Sequence, residues 1–243
     1  MQRILIIGAT SAIAEHVARR YARRAARLML VGRKPDRLQA IADDLRVRGA
    51  EGVHVHAMDV NDLTAHERMV EAAQQTLGGI DVVLIAHGTL PDQAACNASV
   101  GLSLREFATN GTSTIALCAL LAQKLQRGAT LAVISSVAGD RGRASNFLYG
   151  SAKAAVTAYL SGLGQHLHGS GINVLTIKPG FVDTPMTAAF RKGLLWARPD
   201  AVARGIVRAI DRRKAVAYVP GFWWAIMQVI RHIPEPVFRR IRL

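Results

Sequence analysis

Cysteine is scarce in this chain: two in 243 residues, Cys96 and Cys118, far apart and outside any CxxC pattern. That excludes a disulfide framework and the ligand spacing of a structural zinc site. We expect no metal and a reducing compartment. Also missing is any apolar run near the roughly 20 residues that span a bilayer. The first apolar run, residues 3–7, stops at Gly8, which is too short for a signal peptide. The expectation is a cytoplasmic protein, or one peripheral on the inner face of the membrane. Glycine and proline are ordinary at 21 and 8 residues, and no internal repeat, low-complexity tract or linker is found. Collagen-like and repeat classes are thereby excluded. Half the residues are apolar, enough for one full core and too many for a disordered chain.

Carboxylates are the other shortage. Seventeen Asp and Glu face 31 Lys and Arg, a formal charge of +14, which by itself attracts nucleic acid, phosphorylated ligands or an anionic membrane. The excess is concentrated in two windows. Residues 18–37 carry eight cations and one acid, residues 212–243 carry seven and one, and the remainder is close to neutral. A phosphate-reading site plus a membrane-facing tail would distribute charge this way, as would a nucleic-acid surface. Aromatic residues do not alternate with the cations as single-strand binding requires, so we expect no nucleic-acid partner. Arg19, Arg20, Arg23, Arg24 and Arg27 read as a solvated face.

What is present is alternation. Strand-like runs fall at 3–7, 27–31, 52–57, 82–86, 130–135, 172–177 and 215–219, separated by amphipathic stretches at 13–24, 37–48, 63–77, 104–125, 150–168 and 199–212. Several runs, such as Ile4-Leu5-Ile6-Ile7, are apolar on both alternating faces, which a parallel sheet covered by helices on both sides requires. The expected fold is α/β, a doubly wound parallel sheet of the Rossmann type in one domain. We divide it into a dinucleotide-binding catalytic part, 1–221, and an apolar, basic C-terminal segment, 222–243.

Gly8-Ala9-Thr10-Ser11-Ala12-Ile13-Ala14 follows the first strand and opens the first helix. Small residues there let backbone N–H groups approach a pyrophosphate, though one surviving glycine leaves plain packing open as well. The second strand ends in Gly32-Arg33. An acid at this place reads a ribose 2′-hydroxyl, whereas its absence beside an arginine suits a 2′-phosphate, so NADP(H) is favoured over NAD(H). Lys34 and Arg37 either add to that field or open a solvated helix. Asp59 and Val60 either read the adenine edge or cap a helix.

Tyr149 and Lys153 stand at i and i+4 of a predicted helix, where a cation draws the phenol towards proton transfer. Ser136 closes a predicted strand 13 residues before Tyr149, Asn110 sits in a predicted helix 39 residues before it, and Pro179-Gly180-Phe181-Val182-Asp183-Thr184 follows the sixth strand. Over nearly its whole length the chain resembles the short-chain dehydrogenase/reductase family. The resemblance implies that Tyr149 protonates a carbonyl oxygen, Ser136 hydrogen-bonds it, Lys153 binds the nicotinamide ribose and lowers the Tyr149 pKa, and Asn110 holds a relay water. It further implies cofactor contacts from Ala86, Gly88, Pro179, Val182 and Thr184, and a substrate loop at 185–198. The sequence departs from the family at Ile7, Ala14 and Ile85-Ala86-His87-Gly88. His87 either shapes the pocket or is structural.

The tail places Phe222, Trp223 and Trp224 before an aliphatic run flanked by arginines, a composition suited to a membrane interface or to a helix packed on the core or on a second subunit. With Ile230-Arg231-His232-Ile233-Pro234 and Val237-Phe238-Arg239, it is similar to one subgroup, the decaprenylphosphoryl-2-keto-erythro-pentofuranose reductases. That resemblance implies reduction of the 2-keto sugar of a polyprenyl-phosphoryl pentose, with a flavin-dependent oxidase as partner. A homo-oligomer is also expected. The alternative enzyme is a reductase of another lipid-like ketone.

Overall fold

A computed structural model describes residues 1–241. Arg242 and Leu243, the last two positions of the expected C-terminal segment, lie outside the described residues. Seven strands, β1 (Arg3–Ile7), β2 (Arg27–Gly32), β3 (Gly52–Ala57), β4 (Val82–Ile85), β5 (Thr130–Ile134), β6 (Asn173–Pro179) and β7 (Val216–Val219), form one sheet. Its order is β3-β2-β1-β4-β5-β6-β7 and every pairing is parallel. This is the expected doubly wound sheet in a single domain.

Both faces of the inner strands β1, β2, β4, β5 and β6 are buried, and their residues divide by parity. Ile4, Ile6, Leu28 and Leu30 pack with α1 (Ala12–Ala22), α2 (Pro35–Val47) and α8 (Pro199–Asp211). Leu5, Ile7, Met29 and Val31 pack with α3 (His66–Leu77), α6 (Ser113–Lys124) and α7 (Phe147–His166). The period-two pleat therefore feeds two cores from one apolar run. Between β1 and β4 the order reverses, and a doubly wound sheet opens a crevice at the carboxyl ends of the strands at that point.

The structure departs from the sequence reading where local periodicity is weak. The single helix expected over 104–125 is two, α5 (Val100–Phe107) and α6, joined by a π-helical turn, Ala108–Thr112. A short α4 (Gln93–Ala98), capped by the Asp92 carboxylate on the Ala95 N–H at 3.0 Å, precedes them. The tail is folded: α9 (Trp223–His232) and α10 (Glu235–Phe238). Among the described residues no helix is long and apolar enough to cross a membrane. The arginines read as a solvated face are largely paired. Arg19 bridges Glu15 and Asp44, Arg20 meets Asp200 and Arg24 meets Asp211, so α1 and the turn after it are each tied to α8 by one pair.

Candidate active site

The turn after β1 is shaped by Gly8, whose φ of +82° suits a residue without a side chain. A β-carbon there would come within 2.4 Å of the His87 backbone nitrogen. The ends of β1 and β4 thus meet at the switch point and open a cleft of about 280 Å³. Eleven expected positions line it: Gly8, Thr10, Ser11, Ala12, Ile13, Arg33, Asp59, Val60, Ala86, Gly88 and Thr184. Ser11 precedes α1 without a capping bond from its side chain, so the first N–H groups of that helix keep no side-chain acceptor. Arg33 and Arg37 both reach the cleft, and neither forms an ion pair among the described residues. Unpaired helix N–H groups and two free guanidiniums in one cleft fit a phosphorylated dinucleotide.

Other positions in the cleft carried no signal as isolated residues. Met58, Asn61, Thr89 and Thr109 also line it, while Pro185 and Met186 bring the start of the expected 185–198 loop to it. Asn61 donates from its amide to the Thr109 hydroxyl at 3.0 Å, which joins the β3 side of the cleft to the π turn.

Tyr149 lies in the first turn of α7 and Lys153 one turn later. The turn after β5, Val137–Gly139, rests directly on the α7 backbone: β-carbons at Gly139 and Gly150 would come 2.7 Å from the Lys153 carbonyl carbon and 2.9 Å from the Ala138 oxygen. Two glycines in facing positions therefore bring Ser136 against Tyr149. The Ser135 hydroxyl fixes the same junction by donating to the Lys153 carbonyl at 3.0 Å. Burial pushes the Tyr149 phenol above its ordinary range, opposed by a hydrogen bond with Ser136 and by the charge of Arg143. The cation expected to draw it down, Lys153, instead sits 5.7 Å from the ring centre and donates to the Ile134 carbonyl at 3.1 Å. Lys153 as a whole is 2 % exposed, and desolvation pulls its ammonium down to about 8.

Asn110 lies in the π turn, and its side-chain amide makes three bonds within the protein. It accepts from the Thr89 N–H at 2.9 Å and donates to the Thr89 hydroxyl at 2.9 Å and the Glu106 carbonyl at 3.0 Å. These bonds hold the loop after β4. A β-carbon on Gly88 would lie 2.8 Å from Asn110 Oδ1 and 3.5 Å from Lys153 Nζ. Gly88 is thus the joint between the cleft and the Tyr149-Lys153 helix. His87 is tied from Nε2 to the Ser113 and Thr114 hydroxyls at 3.0 and 3.1 Å. Its Nδ1 is buried without a partner, and desolvation pulls the ring down to about 3.

Pro179 ends β6, and Val182, which does not line the cleft, bridges to Ala197. This bridge closes the base of the 185–198 loop, reinforced by the Asp183 N–H to Ala197 carbonyl bond at 2.9 Å. Phe181 stacks on Trp196 at 5.4 Å and meets Trp223 edge-on at 4.9 Å. The loop leaves Met186, Phe190, Leu194 and Leu195 exposed.

Residues 2–194 match the family model "short chain dehydrogenase". An uncharacterised oxidoreductase of Mycobacterium tuberculosis is 35 % identical, covering 98 % of this chain and 96 % of its own. A Streptomyces coelicolor oxidoreductase is 35 % identical over 98 % of this chain and 95 % of its own. Among solved structures, a variant of the actinorhodin polyketide ketoreductase with NADPH superposes with a TM-score of 0.78 at 22 % identity, covering 90 % of this chain and 95 % of that one. A Burkholderia cenocepacia short chain dehydrogenase in complex with NADP gives 0.80 at 21 % identity, covering 90 % and 96 %. The chain belongs to the short-chain dehydrogenase/reductase family. Its chemistry is NAD(P)-dependent oxidoreduction between CH–OH and C=O groups.

Proposed function

We propose that the protein reduces a ketone to a secondary alcohol, using NADPH in preference to NADH. The observation that carries this reading is the joint at Gly88, where the cleft that fits a dinucleotide meets Lys153 and Asn110 beside the Ser136-Tyr149 pair. Bound in the cleft, NADPH supplies the hydride. Ser136 donates a hydrogen bond to the ketone oxygen, and Tyr149 passes that oxygen its proton. A phenol raised by burial is protonated at neutral pH, the state a proton donor needs. Lys153 holds the nicotinamide ribose, with Pro179, Val182 and Thr184 on the same side. Arg33 reads the 2′-phosphate, Arg37 adds to its field, and Asp59 and Val60 border the adenine.

The substrate in this reading is amphiphilic. Phe190, Leu194 and Leu195 of the loop, Trp224 of α9 and Phe222 just before it are exposed, an apolar rim suited to a lipid chain. Within that class we favour the 2-keto sugar of a polyprenyl-phosphoryl pentose, supplied by a flavin-dependent oxidase, on the resemblance of the tail. The test is NADPH oxidation with such a keto sugar, generated by an oxidase from polyprenyl-phosphoryl ribose, beside ketoacyl and steroid ketones. Turnover of the last two alone would give the alternative substrate class. Tyr149→Phe should abolish turnover, a loss of about 10²–10⁴-fold, and leave NADPH binding intact; residual full activity would remove Tyr149 as the donor.

A further inference from the structure

The turn that carries Ser136 is anchored from both sides by consecutive residues, Asp140 and Arg141. Asp140 faces inward. Its carboxylate accepts from the Tyr218 hydroxyl of β7 at 2.7 Å and pairs with Lys178 of β6, the residue before Pro179. The Lys178 and Asp140 side chains are 8 % and 3 % exposed. Arg141 faces outward. Its guanidinium donates to the carbonyls of Ile230, Arg231 and Ile233 at 2.8, 3.2 and 2.6 Å, and pairs with Glu235 at 3.0 Å. It also lies 3.8 Å from the centre of the Phe238 ring.

Those carbonyls belong to the end of α9, where a helix leaves acceptors without partners and favours a cation. The guanidinium fork serves several acceptors at once, as an ammonium could not. The Glu235 carboxylate is 60 % exposed, so that ion pair contributes little; the anchor is the Arg141 side chain, 14 % exposed, on the carbonyls at the end of α9. The segment it holds has little else to fix it: in α9 only Trp223 and Met227 are buried, and in α10 no residue is. Trp223 and Met227 pack on Val137, the neighbour of Ser136.

We propose that Arg141 is a positioning residue for the ketone reduction: by gathering the end of α9 it presses Trp223 and Met227 onto Val137. With Asp140 as the inner anchor, it thereby fixes the Ser136 hydroxyl relative to Tyr149. The inference rests on the reductase reading of those two residues. Arg141→Ala should lower kcat about tenfold, while NADPH affinity, measured without ketone, stays unchanged. Arg141→Lys keeps the charge but not the fork and should recover only part of the rate. Glu235→Gln together with Phe238→Ala removes the α10 partners of Arg141 from the full chain and should also slow it. Adding Arg141→Ala to this double variant should slow it less than the two separate effects multiplied, because both changes act on one linkage.

Unchanged kcat in Arg141→Ala, or multiplying effects in the combined variant, would overturn the proposal. If the wild-type protein reduces none of the ketones, the reductase reading fails on its own, and hydrogen exchange decides the anchoring. Arg141→Ala of unchanged circular dichroism should then exchange faster at the amides of residues 137–141. Unchanged protection there would sink the proposal.

Discussion

At the scale of single residues, two groups in the cleft make opposite electrostatic statements. Arg33 sits in it without an acidic partner, so a 2′-phosphate would be its first counter-charge. A hydrogen bond to a charged group is worth about 1.5–3 kcal/mol. Arg33→Ala should therefore weaken NADPH binding at least tenfold and leave NADH nearly unaffected. Fluorescence titration with each cofactor checks this, and equal losses would refute the phosphate role. His87 is the reverse case, a half-buried ring whose Nδ1 is buried without a partner, so that desolvation keeps it neutral. Its pKa in the fold, about 3, lies below the ordinary 6.5, so between these values the unfolded chain binds a proton that the fold does not. Stability should therefore fall as pH drops from 6.5 towards 3, by up to about 1.4 kcal/mol per unit. His87→Gln should flatten that slope in urea titrations at several pH values.

At the scale of elements, the C-terminal segment answers to two demands. Trp223 lies on Gly180, where a β-carbon would come within 1.9 Å of the indole nitrogen, whereas Phe222, Trp224 and Val229 face outward. The docked side supports the Ser136 turn, and the outward side has the rings and nearby cations of an interfacial helix. If it meets lipid, Phe222→Ser with Trp224→Ser should lower binding to anionic vesicles several-fold without changing the melting temperature. Unaltered binding in a flotation assay would assign the outward face to another copy of the chain. Deleting the whole tail would be a poorer test, since it also strips Val137.

Much of this element plan was legible in the sequence. Doubly apolar runs such as Ile4 to Ile7 and Val82 to Ile85 have one stable use, the middle of a covered sheet, and the Tyr149-Lys153 spacing needs only helical geometry. The π turn around Asn110 was not legible, because residues 104–125 continue a helical pattern through it and the extra residue shows only in the hydrogen bonds. The place of Lys153 was legible in part: spacing puts the ammonium on the phenol's face of the helix, while the bond to the Ile134 carbonyl that holds it over the ring shows only in the fold. The Asp140 and Arg141 anchors join partners 38 to 94 positions away, beyond any local pattern. The +14 charge was visible as a total, while its division into α1 to α8 pairs and a few cleft cations required the fold.

At the scale of the whole molecule, the pairing of α1 with α8 has a consequence for how the chain is made. Arg20 meets Asp200 across 180 positions and Arg24 meets Asp211 across 187, and Val17 and Tyr21 share their core with Ile206 and Ile210. At about 5–20 residues per second, the first helix leaves the ribosome roughly 10–40 s before its partner exists. For that interval α1 has β1, β2 and α2 to pack on, but the side of it that shares a core with Ile206 and Ile210 lacks that partner. A chain stopped before Pro199 should accordingly be recovered in the pellet, and co-expressing residues 199–243 as a separate fragment should return part of it to the supernatant.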